Sequence, residues 1–126
     1  MKIHHFGFVV ENIDSELKYL HKQKLDNRVY DPVQKAELVS LIADNQTMIE
    51  LISPKDEQSF TWNYLKKNGG GFHHICYEVE NLDEAKKFFQ ENRILKVLGP
   101  VDAVLFNRKV IFGIQRNKSI IELVFD

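Results

Sequence analysis

The chain reads as an α+β protein of two tandem βαβββ modules, and three observations predict it. His4 to Asp14 is HHFGFVVENID and His73 to Asp83 is HHICYEVENLD, sixty-nine residues apart with six identities in eleven positions, so the chain is an internal duplication. Each half also closes on the same strand triplet, Ile49-Glu50-Leu51 and then Ile121-Glu122-Leu123. Finally, each half opens with alternating residues and passes directly into helical spacing, the succession of periods expected of a strand feeding a helix.

The elements follow in order. Ile3 to Val10 and Phe72 to Val79 are the first strands of their modules. Asn12 or Asp14, and Asn81 or Asp83, supply N-cap chemistry ahead of apolar residues at helical spacing, Ile13, Leu17 and Leu20 in one half and Leu82, Ala85 and Phe89 in the other. Each helix is expected to last about three turns, the first over Ser15 to Lys24. A short extended segment comes next, Arg28 to Tyr30 and Ile94 to Val97, then a hairpin. The first hairpin runs from Leu38 to Ala43 through Asp44-Asn45-Gln46 into Met48 to Ile52, and the second from Val110 to Ile114 through Arg116-Asn117 into Ser119 to Phe125. Between the halves, Phe60, Tyr64 and Leu65 suggest a short helix that Gly69-Gly70-Gly71 breaks. The expected organisation is one domain, 1–126, with module 1 over 1–53, a linker over 54–71 and module 2 over 72–126; the glycine run is a hinge within it.

Composition narrows the function classes. With 44% hydrophobic residues, 126 residues fill one sizeable core. Seventeen basic and eighteen acidic residues leave a net charge of −1 with no basic run, which argues against a nucleic-acid partner. No apolar run approaches the roughly 20 residues of a membrane span, and no signal-peptide pattern opens the chain, so a cytoplasmic protein is expected. A single cysteine, Cys76, excludes an intrachain disulfide and suits a reducing compartment.

Strand parity selects the residues that can meet. Successive residues face opposite sides of a sheet, so His5 shares a face with Ile3, Gly7 and Val9, while Phe6, Phe8 and Val10 lie under the helix. Ile49 and Leu51, like Ile121 and Leu123, hold their Glu on the far side. A carboxylate among such apolar neighbours is costly when covered, and two sharing a cavity repel. One divalent cation relieves both penalties, and two Glu with two neutral His form a mixed set suited to Zn, Ni, Co or Mn. The expected ligands are His5, Glu50, His74 and Glu122, with coordination positions left for water or substrate. The plain alternative is a wetted sheet face. His4 and His73 point to the helix side by parity and read as packed histidines or as supports for the ligands. Cys76 shares the His74 face and reads as a small pocket-lining residue. Asn107 and Arg108 are candidates for anchoring a substrate carboxylate or phosphate, with a surface ion pair as the competing reading of Arg108.

These paired modules, the HHF and HHI strand openings and the two IEL endings resemble the vicinal oxygen chelate superfamily over nearly the whole chain. The stretch from Thr47 through Ser53-Pro54, Ser59, Leu65-Lys66-Lys67 and Gly70-Gly71 to His73-His74-Ile75 is most similar to methylmalonyl-CoA epimerases, and glyoxalase I is similar in its His, Glu, His, Glu ligands. The resemblance implies a curved, cup-shaped mixed sheet with helices on its convex side, modules paired edge to edge, and a homodimer. It also implies metal-assisted proton transfer at a carbon next to a carbonyl, through a metal-stabilised enediolate, with Glu122 as first and Glu50 as second acid/base group. The substrate would be a small molecule, an acyl-CoA for an epimerase or a glutathione adduct for a lactoylglutathione lyase. A ferrous oxygen-activating site and a metal-free small-molecule binding or resistance protein are the remaining readings. The segment Leu98 to Arg108 and the turn Gln115-Arg116-Asn117 depart from the epimerase pattern, so the substrate stays open.

Overall fold

The structure is a computed structural model and describes residues 1–20 and 22–126. Its elements run β1 (Lys2–Val9), α1 (Ile13–Tyr19), β2 (Lys24–Asp31), β3 (Ala36–Ile42), β4 (Met48–Pro54), α2 (Trp62–Asn68), β5 (Gly71–Glu78), α3 (Leu82–Glu91), β6 (Leu95–Ala103), β7 (Arg108–Ile114) and β8 (Ile120–Phe125). The strands form one curled sheet in the order β2-β3-β4-β1-β5-β8-β7-β6, which reads alike from either edge. β1 and β5 meet antiparallel at its centre, and each pairs in parallel with the last strand of its own module. This is the expected α+β arrangement of two βαβββ units.

Asn12 and Asn81 cap α1 and α3, accepting from the amides of Ser15 and Glu84 at 2.9 Å. α3 runs ten residues as expected. α1 stops after seven, at Tyr19, because Lys24 and Leu25 pair instead with Ile42 and Leu41 of β3. Strand pairing thus takes residues that helical spacing had claimed; His21, inside the expected helix, lies outside the described residues. The edge strands β2 and β6 are longer than the short segments expected, eight and nine residues. Both are largely exposed, so their sequence carries no burial alternation to read. Pro100 fits an edge strand, where a missing amide donor costs no ladder bond.

Apolar side chains fill both faces of the sheet. Val10, Ile13, Val39, Leu41 and Leu51 pack beneath α1, and Ala85, Phe89, Ile94, Ile111 and Leu123 beneath α3, on the convex side. The concave side holds Val9, Leu38, Ile52, Leu65 and Leu105 in one half and Cys76, Val110, Phe112 and Val124 in the other. Leu65 places α2 at the rim of the cup, unlike the two convex helices. Among the described residues no helix is long and apolar enough to cross a membrane.

Two bulges correct the parity argument. Between Ile3↔Tyr77 and His5↔Cys76, β1 carries the extra residue His4; between Gly7↔His74 and Phe8↔Phe72, β5 carries the extra residue His73. The bulges are related by the duplication. Ile3, expected beside His5, therefore pairs with Tyr77 on the helix side. His4 and His73, expected under the helices, turn into the cup: His4 meets Phe106 edge-on at 4.8 Å, and His73 meets Tyr64 at 5.0 Å and Phe60 at 5.7 Å.

Candidate metal centre

His5, Glu50, His74 and Glu122 come from the four adjacent central strands β1, β4, β5 and β8. Small residues make room for the two imidazoles. His74 faces Gly7 and His5 faces Cys76 across the β1–β5 ladder, positions related by the duplication. A β-carbon added at Gly7 would stand 2.2 Å from Cε1 of His74, so no other residue fits there without displacing the ring. The flanking apolar residues Leu51 and Leu123 are buried on the opposite face and fix the direction of each Glu.

The four donors converge. Nε2 of His5 lies 3.2 Å from Nε2 of His74, 3.3 Å from Oε1 of Glu50 and 3.0 Å from Oε1 of Glu122. Nε2 of His74 lies 3.4 Å from Oε1 of Glu50 and 3.0 Å from Oε1 of Glu122. A cation bound at about 2.1 Å by N and O donors separates neighbouring ligand atoms by about 3.0 to 3.4 Å, between octahedral and tetrahedral edges. All four residues are at most 3% exposed. Oε1 of Glu122 is buried without a hydrogen-bond donor, although it faces both imidazoles. A buried, orphaned carboxylate oxygen in this N/O set fits a divalent cation.

The electrostatics agree. Burial opposes charge on His5, yet Glu122 and Glu50 beside it outweigh burial and push its pKa up to about 10. His74 shifts upward against the same burial, through Glu122 first and then Glu50. Both carboxyls are held below their ordinary range in spite of burial, chiefly by His5. The cluster therefore attracts positive charge, which protons or a metal ion can supply.

The bulge histidines back the two clustered imidazoles. Nδ1 of His4 is 2.8 Å from Nδ1 of His5, and Nδ1 of His73 is 2.8 Å from Nδ1 of His74. A ligand imidazole that turns its Nε2 lone pair to a metal keeps its proton on Nδ1, which then donates to the neighbour. That role requires His73 to be neutral; burial, followed by the charge on His74, lowers its pKa to about 3.

Phe106, in the turn between β6 and β7, stacks on His5 at 4.8 Å, and Phe112 meets His74 edge-on at 5.3 Å. Phe60 of the linker packs against Phe112. Leu105 reaches the concave cluster of module 1, where Asn27 donates to its carbonyl at 3.3 Å. Linker and turn thus roof the cluster. Sequence reading gave Phe60 and Phe112 to the linker helix and a strand and did not single out Phe106, which inside a turn carries no periodic signal. Cys76 lines the cup as expected, fully buried, with burial raising its thiol pKa. Asn107 and Arg108 are not brought into the cluster. Asn107 holds the left-handed position of the turn, and Arg108 donates to Glu78 at 2.8 Å and Asp126 at 2.9 Å.

The sequence model of the Glyoxalase/Bleomycin resistance protein/Dioxygenase superfamily matches residues 4–112, and the chain belongs to that superfamily. This bears out the vicinal oxygen chelate resemblance. The mitochondrial methylmalonyl-CoA epimerase of Dictyostelium discoideum is 31% identical over 108 residues, 82% of this chain and 63% of the relative, so the chain spans less than two thirds of that protein. Among solved structures, methylmalonyl-CoA epimerase from Mycobacterium tuberculosis shares the fold at TM-score 0.87 with 22% identity, over 98% of this chain and 87% of that one. A Streptomyces coelicolor methylmalonyl-CoA epimerase in complex with 2-nitronate-propionyl-CoA gives TM-score 0.85 with 18% identity, over 100% and 97%.

Proposed function

We propose that this chain is a divalent-metal-dependent epimerase, moving a proton at the carbon next to a thioester carbonyl in a substrate of the methylmalonyl-CoA type. One observation carries the reading: two imidazoles and two carboxylates, 3.0 to 3.4 Å apart where they face one another, are buried together with an orphaned acid oxygen among them. The similarity to methylmalonyl-CoA epimerases supports the substrate class.

His5 and His74 through Nε2, with Glu50 and Glu122, would hold one Zn, Ni, Co or Mn ion. When bound, that ion supplies Lewis-acid stabilisation of charge developing on the substrate oxygens. Glu122 acts as the first acid/base group and Glu50 as the second. They stand on duplication-related strands on either side of the β1–β5 pair, so one removes a proton and the other returns one to the opposite face. His4 and His73 hold the ligand rings in one tautomer. Phe60, Phe106 and Phe112 keep water out. Asn107 and Arg108 stand as substrate anchors in the same proposal. We also place the protein in the cytoplasm as a homodimer; the buried thiol of Cys76 suits the compartment, and exposed Ile3 and Phe72 on the convex face suit the association.

Stoichiometric metal with deuterium wash-in from heavy water at C2 of methylmalonyl-CoA is the expected result. A metal-loaded protein that leaves this carbon unexchanged but turns over a glutathione hemithioacetal is a glyoxalase-like isomerase instead. A protein that takes up no metal, with full thermal stability in chelator, belongs with the metal-free binders.

A further inference from the structure

A cavity of about 470 Å³ opens between α2 and the turn that joins β7 to β8. Its buried wall includes His73, and its exposed wall carries Lys67 of α2 and Lys118 of the turn. The buried wall adjoins the cluster. Nδ1 of His73 lies 2.8 Å from Nδ1 of His74, and Phe60, also in the wall, meets His73 at 5.7 Å and Phe112 at 5.0 Å. No acidic residue lines this cavity, and neither lysine has an ion-pair partner among the described residues. Other hollows differ in charge. One of about 690 Å³ beside α1 carries Glu11 and Glu16. The one beside Asn107 and Arg108 carries Asp102 and Asp126, and Arg108 already donates to Asp126. An anion entering either of these meets like charge, whereas a hollow lined by cations alone concentrates anions.

We propose that this cavity receives the phosphorylated tail of the thioester, with Lys67 and Lys118 binding its phosphates while the acyl end lies at the cluster. The inference rests on the epimerase reading of that cluster. A coenzyme A tail is a polyanion joined to its acyl group by a long flexible arm, so its phosphates can settle at a rim while the reacting carbon sits deep in the cup. Lysine suits such a partner, because an ammonium on a flexible stem follows a phosphate as a point charge. Lys66, on the same turn of α2, is held over the Trp62 ring at 4.6 Å and leaves Lys67 as the helix's cation in the cavity wall.

The test compares two esters on the metal-loaded protein: methylmalonyl-CoA, and methylmalonyl-pantetheine, which keeps the reacting carbon and the thioester but has no phosphate. Lys67→Gln is combined with Lys118→Asn, since Lys118 holds a left-handed turn position, φ 74°, that Asn accepts. The double variant is expected to raise KM for methylmalonyl-CoA about tenfold and to leave KM for the pantetheine ester within about twofold. Arg at both positions keeps the charge and should restore the first value. KM unchanged for methylmalonyl-CoA, or raised alike for both esters, overturns the proposal. A binding measurement needs no turnover. Acetyl-CoA titrated by calorimetry should bind the double variant about tenfold more weakly than the wild type, and less tightly in the wild type as salt is raised. Equal binding by the two proteins overturns the proposal, and so does displacement of acetyl-CoA by an equal concentration of inorganic phosphate, which would give the cavity to the free anion. A metal-loaded protein that binds acetyl-CoA through these lysines yet exchanges the C2 proton of neither ester loses the epimerase reading and keeps the site.

Discussion

The two modules share a plan and differ in what surrounds their acids. Each has a bulged histidine behind a clustered histidine, a small residue opposite it, and a Glu on its last strand. Each also has a four-residue turn ending in a left-handed residue, Lys35 in one and Asn107 in the other. Yet the module 1 turn folds on itself, with Gln34 donating to Asp31, whereas the module 2 turn crosses over and lays Phe106 on His5. Duplication supplies the imidazoles and the acids in pairs; divergence of the flanking positions sets Glu50 opposite Ser40 and Glu122 opposite Phe112.

The largest effect expected separates the two acids. Glu122→Gln should lower turnover of methylmalonyl-CoA by about 10² to 10⁴-fold while metal, read by elemental analysis, stays bound; normal turnover would remove Glu122 from the chemistry. Gly7→Ala against Cys76→Ala tests the paired small residues. The first drives a methyl group into His74 and should cost about 1–3 kcal/mol in denaturant unfolding with metal affinity down about 10- to 100-fold. The second removes one atom beside His5 and should cost about 1 kcal/mol. Equal costs would mean that the ring positions are not set by these partners.

The metal-free state pits histidines of the two modules against each other in pH. His5, folded pKa about 10 against 6.5, holds a proton that the unfolded chain has lost, so its stabilisation is complete below 6.5 and fades as pH rises through 10. His73, folded pKa about 3, stays neutral where the unfolded chain binds a proton, so stability falls as pH drops from 6.5 towards 3. Chelated protein should therefore show its highest urea midpoint near pH 6.5, and metal uptake at pH 7 should release protons, measurable by calorimetry in buffers of different ionisation heat. A midpoint still rising above pH 8 would contradict the charge assigned to His5. Of smaller effect, Phe106→Ala should speed metal removal by a chelator severalfold, whereas Gln34→Ala, its counterpart, should not.

Much of this was legible in the sequence because duplication prints its own key. His5, His74, Glu50 and Glu122 recur at matched places, and apolar neighbours on β4 and β8 fix the direction of each acid. What parity could not see is a bulge, since one extra residue reverses every alternation beyond it. Ile3, His4 and His73 were misplaced for that reason, and with them the hydrogen bonds behind the ligands. The roof escaped as well: Leu105 and Phe106 meet module 1 only after the sheet has curled, and no local period encodes that contact.

The smallest effect expected concerns Arg108, where the geometry sets an ion pair against a substrate anchor. Its guanidinium donates through Nε to Asp126 and through Nη1 to Glu78, in a half-buried setting at the start of β7. The two acids hold its pKa above the ordinary arginine value in spite of some desolvation. Exposed pairs of this kind contribute about 0 to 1 kcal/mol each, so Arg108→Ala should shift the unfolding midpoint only slightly. An anion captured there must compete with Glu78 or Asp126 for donors. If Arg108 does hold the substrate, the alanine variant raises KM about tenfold or more with stability nearly unchanged, and Arg108→Lys fails to rescue because it lacks the planar fork. If the pair is structural, KM stays level and Lys restores the small loss of stability. Module 1 offers the internal control: Arg28, bound to Asp14 at 2.8 Å and Glu37 at 2.6 Å, makes the same double pair. Arg28→Ala should therefore match Arg108→Ala in stability, and any KM effect found only in the second variant belongs to the substrate.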